Sequence, residues 1–267
     1  MRRAAVALVL LAASCGAPGL LRLPSGAGEP FPDFAQALER ASAACRSIHT
    51  LTAAVAVSGH AGGDKVRGRL LAGASRPASL RLEGVAPFGP PLFVLAAADR
   101  HATLFFPRSH EVVRDEPGPV LEALTRVPLT AADALAALTG CPLSEAPATS
   151  GRVFDRGRAA IEHADRATTY LARAGSGWRI VDAVRGDLRA HYDQFAGDRP
   201  SLVRLVASAA GVESDLTLRL SDVDLNVDLA PATFTVDVPS GARSITLDDL
   251  RSGGVLSGRS PGGAGGR

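Results

Sequence analysis

The fold of this chain follows from residues 79–89, which read SLRLEGVAPFG. Leu80 and Leu82 alternate with charged residues, and this period of two predicts a strand with one buried face. The apolar run at residues 92–98 predicts a second strand. Two strands separated by a short loop indicate antiparallel pairing, so this stretch predicts part of an antiparallel meander.

The loop between these strands contains an apolar residue at its tip. Pro87 and Gly89 favour a tight turn, and Phe88 lies between them. The sequence leaves two positions open for its ring, which either folds back into the protein or projects outward. A projecting ring would mark a membrane or partner contact.

The same alternation continues on both sides of this stretch and predicts about 11 strands. Five precede residue 107, and six more lie between residues 159 and 220, with a further terminal strand at residues 233–238. In these strands, one face is consistently apolar. The inward-facing residues expected to line an apolar cavity are Val55, Val57, Leu80, Leu82, Leu216, Leu218 and Leu220.

Helical periodicity occurs in three places. Residues 34–45 predict an amphipathic helix, and residues 117–140 predict two short ones, the second capped by Thr130 and ended by Gly140. A helical turn is expected near residues 245–250. The fold class is therefore α+β, an incomplete, half-open antiparallel β-barrel with helices forming a lid over an apolar cavity.

The first residues resemble an export signal. Arg2 and Arg3 precede a short apolar run that cannot span a bilayer, so residues 1–14 are expected to be a cleaved signal peptide. The sequence LAASCG ending at Gly16 also resembles the lipobox of bacterial lipoproteins, which implies acylation of Cys15 and, with Gly16 next, an outer-membrane anchor facing the periplasm. The alternative is an ordinary signal with a chance cysteine.

The remaining boundaries follow from composition. Residues 15–30 are rich in Gly, Pro and Ser and predict a flexible tether. Residues 31–250 form the predicted half-barrel domain, and residues 251–267 predict a disordered tail.

Charge excludes one class of partner. The chain has 29 basic and 27 acidic residues, and loss of residues 1–14 removes Arg2, Arg3 and no acid, which leaves 27 of each sign. A neutral body with 4% aromatic residues offers neither a basic field nor stacking platforms, so no nucleic acid is expected to bind.

The cysteines suggest a disulfide. If Cys15 carries lipid, Cys45 and Cys141 are the remaining pair, and an oxidising periplasm favours their bond. Two buried free thiols are the alternative.

No motif for chemistry is found. The acidic run at residues 222–228 has Val227 where a calcium loop needs glycine. Ser176 lies between Gly175 and Gly177, and a predicted strand follows. A nucleophile elbow is followed by a helix, so the pattern argues against one here. No two of the six histidines lie at i and i+4 with a Glu between them, which is the pattern of a zincin-type zinc site. We therefore expect no catalytic residue, no metal and no cofactor, and a protein that is not an enzyme.

Residues 79–89, with Pro128-Leu129 and residues 135–140, resemble the LolB family of outer-membrane lipoprotein receptors, whose fold LolA carriers share. The resemblance extends over roughly residues 31–250. It implies an open barrel whose cavity holds the acyl chains of a lipoprotein in transit. It also implies that Pro87, Phe88 and Gly89 form a membrane-insertion loop, with Phe88 where the family usually has Leu.

The implied function is an outer-membrane-anchored lipoprotein that helps to insert other lipoproteins into that membrane. Its expected partners are lipoprotein acyl chains, a periplasmic LolA-like carrier and outer-membrane lipid, and it is expected to be a monomer. Two alternatives remain open on the same fold. One is a structural envelope lipoprotein, and the other is a carrier or sensor of another amphiphilic ligand.

Overall fold

The computed structural model describes residue 20 and residues 22–209 and 211–253. These residues form a single sheet of 15 strands and four α-helices. In chain order, the strands are β1 (Glu29–Pro30), β2 (Thr50–Ala61), β3 (Asp64–Ser75), β4 (Ser79–Gly84), β5 (Val94–Ala98), β6 (His101–Phe106), β7 (Glu111–Asp115), β8 (Ala148–Phe154), β9 (Arg158–His163), β10 (Thr168–Ala174), β11 (Gly177–Arg185), β12 (Leu188–Ala196), β13 (Arg199–Ala209), β14 (Val212–Leu225) and β15 (Arg243–Ser244). The helices are α1 (Phe34–Arg46), α2 (Pro117–Thr125), α3 (Ala131–Thr139) and α4 (Leu247–Gly253).

The sheet consists of two meanders that meet at β2. Strands β2 to β7 follow one another in space, the chain crosses over through α2 and α3, and β8 to β14 return until β14 pairs with β2. Every pairing is antiparallel except that of β15 with β7. Strand order begins at β1 and ends at β15, so the sheet formed by the described residues is open.

The prediction of about 11 strands is wrong, because four strands lack a readable alternation. β1 and β15 have two residues each, too few to show a period. In β7 the adjacent residues Val112 and Val113 are both buried. β8 has no fully buried side chain. A period-two pattern requires one buried and one exposed face, and none of these strands has it.

The terminal strand predicted at residues 233–238 does not form. A 3-10 turn covers Pro231–Phe234 instead. Arg81 provides hydrogen-bond donors for the backbone of this segment: its Nη1 donates to Thr233 O at 3.0 Å and to Thr235 O at 2.8 Å. A side chain on β4 therefore takes the place of a ladder of strand hydrogen bonds.

Capping residues mark the limits of the lid helices. Thr130 Oγ1 accepts a hydrogen bond from Asp133 N at 3.1 Å, and the Asp133 carboxylate accepts from Thr130 N at 2.8 Å, which forms a capping box at α3. Gly140, at φ 78°, ends α3, as the sequence predicts. Arg126 ends α2 in the same left-handed conformation.

The helices pack on one face of a curved sheet. Helix α3 contacts both β4 and β13, which lie four positions apart in strand order. Four strand spacings amount to about 19 Å in a flat sheet, whereas a helix is about 10 Å across. The sheet therefore curves around α3, and the shared core includes Leu121, Leu135 and Leu216.

A disulfide fastens α1 to the segment after α3. The Sγ atoms of Cys45 and Cys141 are bonded at 2.07 Å. Beneath this bond, Tyr192 Oη donates to Cys141 O at 2.7 Å from β12. These covalent and hydrogen bonds hold two helices that are distant in sequence against the sheet.

Both ends of the described domain extend beyond the predicted limits. Residues 29–30 pair with β8, and Phe31 N donates to Gly151 O at 3.0 Å. The Phe31 ring also lies 5.4 Å from that of Trp178 between centroids. The sheet thus takes in two residues of the predicted tether, and α4 takes in residues 251–253 of the predicted tail. The predicted signal peptide, Cys15 and residues 254–267 lie outside the described residues.

Candidate functional site

The main site is an apolar cavity between the sheet and the lid helices, with a volume of about 360 Å³. Its floor comes from β2, β3, β4, β13 and β14, and its roof from α2, α3 and the segment between them. The apolar lining consists of Val55, Val57, Val66, Gly68, Leu70, Ala72, Leu82, Gly84, Leu92, Phe93, Leu121, Leu124, Leu129, Ala134, Ala137, Leu138, Leu205, Leu216 and Leu218.

Five of the seven predicted cavity residues line this space. They are Val55, Val57, Leu82, Leu216 and Leu218. The other two, Leu80 and Leu220, do not line it; they are buried in the core. Alternation identified the inward face but not the depth along each strand, and these two positions lie where packing closes the interior.

The roof of the cavity was missed as a site. Leu121, Leu124 and Leu138 lie in the two short helices predicted at residues 117–140, and the apolar faces of these helices open onto the cavity. The sequence signal for these residues is their helical periodicity, which shows that each helix has a buried side. It does not show whether that side meets packed side chains or open space.

Strand β3 forms the mouth of the cavity and supplies its charged lining residues. Lys65, Arg67 and Arg69 line it alongside Gly68, where a Cβ would meet nothing within 4 Å. Arg69 pairs with Asp222 at 3.3 Å. In the described part of the chain, neither Lys65 nor Arg67 has an ion-pair partner. Cationic groups therefore stand at the entrance to an apolar interior.

The loop between β4 and β5 projects beside this mouth. The Phe88 side chain is 88% exposed, so of the two positions left open by the sequence the ring takes the outward one. Gly89 adopts φ 77°, and Arg108 Nη2 donates to Phe88 O at 2.8 Å, which fixes the tip. At the base of the loop, Leu92 is 39% exposed and also lines the cavity. Apolar surface thus runs from the loop into the interior.

Among residues 20, 22–209 and 211–253, no group of three His, Cys, Asp or Glu side chains could hold a metal ion. No helix in those ranges is long and apolar enough to cross a membrane.

Comparison with known proteins gives similarity in structure. No protein-family model matches the chain, and no curated protein matches it. Among solved structures, a LolA superfamily protein of Nitrosomonas europaea has a TM-score of 0.49 at 18% identity, covering 76% of this chain and 97% of its own.

Two further solved structures are similar to this chain at lower scores. An outer membrane lipoprotein-sorting protein domain of Vibrio parahaemolyticus has a TM-score of 0.44 at 11% identity, covering 75% of this chain and 97% of its own. LprF of Mycobacterium bovis has a TM-score of 0.27 at 14% identity, covering 80% and 100%.

Proposed function

We propose that this chain binds the acyl chains of other lipoproteins in its cavity and helps to insert them into the outer membrane. The observation that carries the proposal is the apolar cavity with an exposed aromatic residue beside its mouth. Its volume falls within the range of about 300–1,000 Å³ typical of small-molecule sites. Acyl chains fit such a lining because they need burial and no polar partner.

The proposed mechanism is transfer without a catalytic step. Each methylene of an acyl chain gains about 0.8 kcal/mol when it leaves water. A cavity therefore releases the chain only to a place that buries it equally well, such as a bilayer. Acylation of Cys15 would keep the protein at the outer membrane, and a periplasmic LolA-like carrier would deliver the cargo to it.

Phe88 has the proposed role of opening the route into lipid. Its ring projects into solvent, and Leu92 connects the loop base to the cavity. Insertion of an exposed aromatic ring into the interface of a bilayer is favourable, and it would bring the mouth to the membrane surface.

The test is transfer of a fluorescent diacylated lipopeptide from loaded protein to liposomes. We expect Phe88→Glu to load normally but to transfer at least tenfold more slowly, because a carboxylate at the tip opposes insertion. Phe88→Leu should transfer normally. Leu225→Glu, at another exposed apolar position, is the matched control and should also be normal. Normal transfer by Phe88→Glu would contradict the role of the loop in transfer. Failure of every variant to load would contradict acyl-chain binding by the cavity.

The structural envelope lipoprotein is the less favoured alternative. A domain used only for protein contacts needs no cavity, and a filled interior would be more stable because empty space costs packing energy. A carrier of another amphiphile shares the same cavity, and competition between the lipopeptide and free fatty acid or lysophospholipid distinguishes it.

A further inference from the structure

Strand β3 is paired along its whole length on one side and along only part of it on the other. Its register with β2 covers all 12 residues, whereas its register with β4 begins at Leu70, opposite Gly84. One more bond, from Val85 N to Arg69 O at 2.8 Å, ends this pairing. Residues 64–68 thus form an open edge of about 17 Å at 3.4 Å per residue.

The open edge presents unused backbone groups. In an antiparallel ladder, alternate residues direct both N–H and C=O to the same neighbouring strand. Since Arg69 O faces the β4 side, Arg67 and Lys65 direct their N–H and C=O groups to that side too, and β4 does not reach them. Within the described ranges, these four groups have no hydrogen-bond partner.

The same residues border the cavity. Val66 and Gly68 alternate with Lys65 and Arg67, so Val66 and Gly68 face the cavity interior. The exposed cationic side chains leave from the opposite face of the strand, at the rim of the cavity. Gly68 leaves open space where a side chain would stand. A chain lying along this edge could therefore place one side chain in the cavity mouth and the next against a cation.

We infer that this edge binds the extended peptide that follows the acylated cysteine of a cargo lipoprotein, as an added antiparallel strand. The inference rests on the proposed function, because the acyl chains bring the peptide to the mouth. Strand addition to a free edge uses main-chain hydrogen bonds for affinity and is tolerant of sequence. A receptor for many different lipoproteins needs that tolerance.

The geometry gives a register. The cargo cysteine lies opposite Gly68, on the inner face, with its acyl chains in the cavity. Its second residue lies opposite Arg67 and its fourth opposite Lys65, and these two residues exchange backbone hydrogen bonds with β3. Their side chains lie on the outer face, where an acidic residue is favoured by the adjacent cation.

The first test varies the backbone of the ligand. The probe is a dipalmitoylated hexapeptide amide, Cys-Ser-Ser-Glu-Ser-Ser, binding to the full chain with Cys15→Ala. N-methylation at its second and fourth residues removes the donors to β3, and N-methylation at its third and fifth residues changes only solvent-facing amides. We expect the first peptide to bind about 25-fold more weakly, since it loses two hydrogen bonds and each net hydrogen bond is worth roughly fivefold. The second should bind nearly as well as the parent.

The second test varies the edge itself. Arg67→Pro removes an edge N–H that the free protein does not use, and proline is tolerated on open edges. Arg67→Ala removes the charge and keeps the N–H. We expect Arg67→Pro to weaken the lipopeptide about fivefold beyond Arg67→Ala, with palmitate bound equally by the two variants because both lack the cation. In the protein without these substitutions, strand addition should slow hydrogen exchange at the Lys65 and Arg67 amides when the lipopeptide is bound.

The outcomes separate this inference from the proposed function. Equal affinity of the two methylated peptides, together with unprotected edge amides, would overturn strand addition and leave acyl binding intact. Equal loss in Arg67→Ala and Arg67→Pro would assign the site to the side-chain charge and also overturn it. If neither palmitate nor any lipopeptide bound, the proposed function would fall first.

Discussion

The ring of Phe93 lies directly against the α-carbon of Gly84. A Cβ built on Gly84 would stand 2.7 Å from Phe93 Cε1 and 2.8 Å from Cδ1, closer than real atoms approach. Gly84 N also donates to Phe93 O at 3.0 Å, and Leu92 N donates to Gly84 O at 2.8 Å. This close pair forms the base of the Phe88 loop and part of the cavity wall.

We therefore predict that Gly84→Ala displaces the Phe93 ring. The extra methyl group has no room, so the free energy of unfolding should fall by about 1–3 kcal/mol, as for other overpacked sites. The ring is part of the cavity lining, so binding of a fluorescent fatty acid should weaken as well. Urea unfolding and a titration measure the two effects.

Gly118→Ala is the matched control for this substitution. A Cβ at Gly118, within α2, meets nothing within 4 Å. Alanine there should leave fatty-acid binding unchanged and stability equal or slightly higher, because alanine is the better helix former. Equal effects of the two substitutions would mean that the Gly84 contact does not shape the wall.

For the strands that have one buried and one exposed face, the sequence predicted the side that faces inward, because burial of one sheet face imposes a period of two. Val55, Leu82 and Leu218 were found in this way. The same pattern also picked Leu80 and Leu220, which are packed rather than cavity-lining. Depth depends on which helix covers each position, and that is a tertiary contact without a local signal.

Features that depend on long-range contacts were beyond prediction. The open edge at Lys65 exists because β4 turns away at Gly84, and nothing within residues 64–68 indicates a missing neighbour. Likewise, the carbonyl oxygens of Thr233 and Thr235 accept hydrogen bonds from Arg81 rather than from a neighbouring strand, although the pattern of residues 233–238 alternates. Local pattern specifies a strand's faces well, and its partners poorly.

Reduction of the Cys45–Cys141 bond should lower stability substantially. The bond closes a loop with a sequence separation of 96 residues, for which the chain-entropy model gives about 4–5 kcal/mol. We expect the urea midpoint to fall on addition of reductant. A double Cys45→Ala, Cys141→Ala variant should show the lower midpoint with or without reductant. Alkylation of two thiols without reductant would contradict the bond.

The capping box at α3 should contribute to the closure of the lid. Thr130→Ala removes the acceptor for Asp133 N and should cost about 1 kcal/mol. Because Ala134 and Ala137 of this helix line the cavity, fatty-acid binding should weaken with it. Thr130→Ser keeps the hydroxyl and is the control. If both variants unfold at the same urea concentration, the cap has no energetic role.

Tyr192 should make the protein sensitive to alkaline pH. Burial raises the pKa of Tyr192 well above its usual range, and the charges of Asp182 and Asp133 add to the shift. Its neutral hydroxyl is the donor to Cys141 O at 2.7 Å. In the unfolded chain the phenol ionises near pH 10. The stabilisation is therefore complete below about pH 10 and is lost as the pH rises further, because only the unfolded state releases the proton.

Urea unfolding at pH 8 and at pH 11 measures this loss. Tyr192→Phe should be less stable at pH 8 by about 1 kcal/mol, since Cys141 O loses its donor, but its stability should fall less between the two values. Tyr170→Phe is the control, because Tyr170 is only half-buried and leaves Tyr192 in place. Burial also raises the pKa of Tyr170, so its removal should take away a smaller part of the same slope. Parallel pH profiles for Tyr192→Phe and the unaltered chain would mean that the phenol already ionises in the folded protein.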